Sequence, residues 1–193
     1  MPREIQQNVD TARKYGTDFI VLGYGLCSNG VVGVKATNQT IIVPKIHDCI
    51  GLFLGSPEAY DRQSKKAPGT YYLTRGWIEQ GKTPLSIYEE YVEKYGTETA
   101  DWLIREELKH YTRIALIDTG VGDVEGHRDY ARRTANFLGL HYEEIKSGLT
   151  FFQKMVSGNW DGDFLKIHRG KEITQEMFFD GNEERTTEKC HEN

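Results

Sequence analysis

Apolar positions along the chain fall into two kinds of run, and their order sets the expected fold. Phe19-Ile20-Val21-Leu22, Ile41-Ile42-Val43 and Ile114-Ala115-Leu116-Ile117 are short runs without polar alternation, as expected of strands covered on both faces of a parallel sheet. Thr70-Tyr71-Tyr72-Leu73-Thr74 and His141-Tyr142-Glu143-Glu144-Ile145 read as further strands, and Phe164-Leu165-Lys166-Ile167 as an edge strand. Between them, helical spacing recurs. Residues 1–15 place Ile5, Val9 and Ala12 on one face before Gly16, and Ile50 with Leu52-Phe53-Leu54 suggests a helix start. Pro84 to Lys109 predicts two helices interrupted at Gly96, with Thr97 as an N-cap. Arg128 to Leu138 predicts a helix closed by Gly139, and Leu149 to Val156 a short one. Pro57 to Gly69 is polar and reads as a loop, as does Arg75-Gly76-Trp77.

Strand, loop and helix in repeated order predict an α/β fold, a three-layer Rossmann-like domain with a mostly parallel sheet flanked by helices. The expected organisation is a single domain over 1–175 and a polar tail over 176–193, with little order from Asp180 onward. A chain of 193 residues suits one such domain.

Charge narrows the function classes. Acidic and basic residues, 29 and 24 of them, are interleaved at a net −5, so there is no basic stripe for nucleic acid. No apolar run approaches a membrane span, and the N-terminus lacks the pattern of a signal peptide. A cytoplasmic protein with no nucleic-acid or membrane partner is expected. Three cysteines cannot all pair within the chain, which points to buried thiols, metal ligands or reactive thiols before disulfides.

The candidate chemistry concentrates in residues 19–55. If the first two strands are parallel neighbours, Cys27 and His47-Asp48-Cys49 both leave carboxyl ends, where open α/β sheets place ligands. Thiolate and imidazole suit zinc, with iron as the other metal these donors admit, and a catalytic zinc keeps three protein ligands and one open position. In an extended segment His47 and Cys49 would point the same way. Cys27, His47 and Cys49 are the expected metal ligands, with Asp48 on the opposite side or supporting them, and Asp118 an alternative oxygen ligand.

Other readings stay open. Both cysteines suit buried, apolar roles. Tyr24, Ser28, Asn29 and Gly30, with the amides of Gly25, Gly30 and Gly33, could instead form a nest for phosphate or carboxylate. Cys27 or Cys49 could act as a nucleophile with His47 as base. Arg75, after the Thr70–Thr74 strand, is an anion contact at the same edge, and Cys190-His191 in the tail is incidental.

Leu22-Gly-Tyr-Gly-Leu-Cys27-Ser-Asn-Gly-Val31, Val43-Pro-Lys-Ile-His47-Asp-Cys49-Ile, Gly69-Thr-Tyr-Tyr-Leu-Thr74, Gly76-Trp-Ile-Glu79, Ile117-Asp-Thr-Gly120 and Gly158-Asn-Trp-Asp161 together resemble the prokaryotic domain of unknown function 1638. The resemblance covers about Asp18 to Gly170. It implies a setting in anaerobes beside corrinoid-dependent methyl transfer, with a corrinoid protein or a methyltransferase as partner, and a metal site that activates a thiol or a methyl carrier. It also implies a further strand and helix ahead of Met1. The corrinoid itself is not expected on this chain, because Lys45 stands where an Asp-x-His-x-x-Gly motif has its aspartate. The rival reading is a metal-free module that binds a small anion or a methyltransferase.

Overall fold

The computed structural model describes residues 1–81 and 83–179. It is α/β, and of its four strand pairings three are parallel. The chain divides into two compact units: Met1–Leu52 with the described part of Phe151–Asn193, and Phe53–Thr150.

In the first unit α1 (Pro2–Ala12) presents Val9 to the core and ends through a short 3-10 turn at Gly16, whose φ of 64° is the left-handed stop expected of glycine. Strands β1 (Phe19–Val21) and β2 (Thr40–Pro44) pair in parallel, with Phe19 opposite Thr40 and Val21 opposite Ile42. The last strand, β6 (Phe164–Ile167), runs antiparallel on the other side of β2. Central β2 is buried on both faces, with Ile41, Ile42 and Val43 at 0% exposure. For β1 the expected double burial fails. Phe19 is 50% and Val21 36% exposed, while Ile20 packs against the core. The strand is an edge with one covered face. Val9, Leu26, Val31, Val34, Ile41, Ile173 and Phe178 build the core beneath it, so the segment expected as a polar tail contributes Phe178 to the core. Residues 180–193, including Cys190-His191 and the expected disorder, lie outside the described residues.

The second unit holds an all-parallel sheet in the order β3 (Thr70–Leu73), β4 (Arg113–Asp118), β5 (His141–Lys146). Between β3 and β4 come α4 (Arg75–Glu79), α5 (Pro84–Tyr95) and α6 (Thr97–Leu108), the last capped at Gly96 rather than Thr97. Helix α7 (Val124–Leu138) follows β4, starting at the cap Asp123, a turn ahead of the expected Arg128. Leu73, Ile114, Leu116, Ala131 and Ala135 form this core.

Three further α-helices lie among the described residues, α2 (Ile50–Leu54), α3 (Pro57–Lys66) and α8 (Thr150–Ser157), with a 3-10 turn at Glu176–Phe178. Helix α3 corrects the expected loop. Its ten residues bury none, which hides the helix from a hydrophobic reading, yet Ser56 accepts from the Ala59 amide and Pro57 takes the first turn. Arg75-Gly76-Trp77 is likewise helical, capped by Thr74. Among the described residues no helix is long and apolar enough to cross a membrane.

Candidate functional site

Because β1 and β2 are parallel, their carboxyl ends open on the same edge, and the chains beyond them stay side by side. Leu22 N–H donates to the Ile42 carbonyl at 2.9 Å, Leu26 N–H to Ile46 at 2.9 Å and Cys27 N–H to His47 at 3.1 Å. Gly25 permits this approach. A Cβ there would stand 3.0 Å from Ile46 Cγ1, 3.1 Å from the Ile46 carbonyl oxygen and 3.3 Å from the Cys49 nitrogen, so any side chain would push backbone from backbone.

Cys27, Ser28 and Asn29 then take φ values of 27°, 54° and 62°. Left-handed backbone costs a non-glycine residue about 1–2 kcal/mol, and three in succession are rare. The turn is held by Gly30 N–H, which reaches the carbonyls of both Leu26 and Cys27 at 3.1 Å. It presents the Cys27 sulfur to the second loop, where Cys49 N–H donates to Cys27 Sγ at 3.1 Å. Asp48 turns in as well, with Oδ1 accepting the Ile50 amide at 2.9 Å. One ligand atom each of Cys27, Asp48 and Cys49 lie within 4.8 Å of one another, and all three residues are half-buried.

The structure thus brings together two of the three expected ligands, and Asp48 stands where His47 was expected. Extended geometry would have aligned His47 with Cys49. Strand β2 stops at Pro44, however, and the chain bends at His47 and Asp48, which cancels the alternation. His47 is exposed, its ring 4.6 Å from that of Phe179. With it goes the pairing of a cysteine nucleophile and a His47 base.

Electrostatics separate the two thiols. The Cys49 side chain beside Cys27, with the Cys49 and Gly25 amides, outweighs burial and the nearby Asp48 charge to bring Cys27 from 9.0 down to about 7. Cys49 is pushed up, first by the Cys27 side chain and then by burial.

The anion nest is not formed. The Gly30 amide is spent on its own turn, the Gly33 amide donates to the Ile173 carbonyl at 2.8 Å, and Gly25 supports Cys27. Ser28 and Asn29 are exposed, and Tyr24 donates its hydroxyl to Met1 Sδ at 2.8 Å. Arg75 and Asp118 belong to the second unit. Arg75 Nε pairs with Glu79 Oε1 at 2.7 Å, and Asp118 accepts the Gly120 amide at 2.8 Å and faces Arg128 at 3.4 Å.

No curated protein and no solved structure matches the chain. The family described as "Protein of unknown function (DUF1638)" matches residues 1–156, most of the chain, and the chain belongs to that family.

Proposed function

We propose that this protein binds one transition-metal ion, zinc, through Cys27, Cys49 and Asp48. The observation that carries the reading is the convergence of two sulfurs and a carboxylate oxygen within 4.8 Å on a parallel-strand edge. The donor set fits the ion. Thiolate and carboxylate are both zinc ligands, and two thiolates bound tetrahedrally at about 2.3 Å stand about 3.8 Å apart, so small side-chain rotations suffice. Three protein ligands leave a fourth position, where the metal would supply Lewis acidity and hold an incoming thiol as thiolate. The chain's own part is to hold the Cys27 sulfur on the Cys49 amide and to orient Asp48 through the Ile50 amide. With the family resemblance, this supports a role in thiol or one-carbon chemistry, with a corrinoid protein or a methyltransferase as partner.

The test is elemental analysis of protein purified without oxygen or chelator. About one equivalent of zinc is expected in the wild type and in His47→Ala, and none in Cys27→Ser or Cys49→Ser. Asp48→Asn should bind roughly 10–100-fold more weakly. Wild type that is folded and metal-free overturns the reading.

A further inference from the structure

Sulfurs from Cys27 and Cys49 meet although the residues stand 22 apart in the chain, and they meet at a place the backbone is forced to build. A left-handed turn on three non-glycine residues carries one sulfur, a bend after β2 carries the other, and Gly25 lets the two segments touch. Both thiols are partly exposed, and the Ser28 and Asn29 flank of Cys27 is open to solvent. Buried structural thiols have no need of such exposure, whereas thiols that exchange with a substrate do. The sulfur separation, within 4.8 Å, compares with about 2.05 Å in a disulfide. Closing the bond calls for rotation about the side-chain bonds of both half-buried residues and relaxation of the left-handed turn.

We propose that Cys27 and Cys49 form a dithiol–disulfide couple that reduces small neutral disulfides. The proposal uses the sulfurs of the metal site but does not depend on metal. The Cys27 sulfur, which already accepts the Cys49 amide hydrogen, attacks one sulfur of the substrate R–S–S–R. The substrate S–S bond breaks, a Cys27–S–S–R bond forms, and the first thiol leaves with a proton. The Cys49 sulfur then attacks Cys27 Sγ, giving up its proton and expelling the second thiol as the Cys27–Cys49 bond closes. Two electrons and two protons pass from the protein to the disulfide. The neighbouring Asp48 carboxylate opposes anionic substrates and selects neutral ones. Metal and disulfide compete for the same sulfurs, so oxidation would also release the ion.

The test treats the chelator-washed 193-residue protein carrying Cys190→Ser, and wild type in parallel, with hydroxyethyl disulfide under circular-dichroism control of the fold. The expected result is a peptide joined between Cys27 and Cys49, with loss of two hydrogens and release of two thiol equivalents. Folded protein that keeps hydroxyethyl adducts on either cysteine, or keeps both thiols free, overturns the proposal. Zinc separates the two readings of the site: added ahead of the disulfide, it should slow closure on the order of tenfold. Closure that zinc never slows counts against the metal reading alone.

Discussion

At the carboxyl end of β4, Asp118 accepts the Gly120 amide and faces Arg128, while Arg128 is bound to Glu144 at 2.7 Å and to Glu125. Arg75, at the end of β3, lies against Gly122, where a Cβ would come within 2.6 Å of its Nη1. Its charge is answered by Glu79. At the carboxyl end of β1 and β2, two thiols and a carboxylate gather instead around one point. Both edges obey the same rule of parallel topology. The second has matched its charges with its own side chains, and the first has gathered two sulfurs and a carboxylate around one point. Position at a strand end therefore nominates a site, and the composition of the donors is what sets the two edges apart.

Gly25→Ala should break the first edge most severely. The added methyl meets the Ile46 carbonyl and the Cys49 nitrogen, and a loss of about 2 kcal/mol in denaturant unfolding is expected, as for overpacking elsewhere. Zinc uptake and disulfide closure should fall together. An unchanged midpoint would mean that the two loops are not held as closely as described.

Arg128→Met tests the second edge. Removing the guanidinium takes from Asp118 and Glu144 the cation that both face, and the thermal midpoint should fall by a few degrees at neutral pH. Arg128 holds Glu144 below the ordinary carboxylate value of 4.5. The stabilisation is therefore fully present above that value and is lost as pH falls below it. Wild type and variant should converge in acid, and a difference that persists there would assign the effect to packing.

The smallest effect expected is a titration. In chelator-washed protein, ultraviolet thiolate absorbance should rise by one thiolate through about pH 7, as Cys27 ionises while the Cys49 thiol stays protonated. The lowered Cys27 value adds stability that is complete above 9.0 and lost as pH falls through about 7. Cys49, held protonated, contributes in the opposite sense, fully below 9.0 and lost above it. With Cys190→Ser in place, two thiolates appearing together near 9.0 would show that the two sulfurs do not influence each other.

Strands β2, β4 and β6 and the paired helices α5 and α6 were legible because their apolar spacing coincides with their burial. Helix α3 was not, since its evidence lies in the Ser56 cap and Pro57 rather than in buried residues. The same distinction runs through the site. Cys27 and Cys49 were legible as donor residues following two strands, and parallel pairing then brought them together. His47 and Asp48 exchanged places because a single bend past Pro44 decides which neighbour turns inward. Periodicity describes regular backbone and is silent where regular backbone ends.

The order of apolar runs, the glycines that stop them and the donor residues placed after β1 and β2 are properties of the linear chain. They determined the α/β class and the region of the site, since burial patterns and turn chemistry are local. Tertiary structure alone decided that β1 is a half-exposed edge, that the Gly33 amide is engaged by Ile173, and that Asp48 joins the sulfurs in place of His47. Each of these depends on hydrogen bonds or contacts between segments about 20 residues or more apart, which only the folded chain brings within bonding distance.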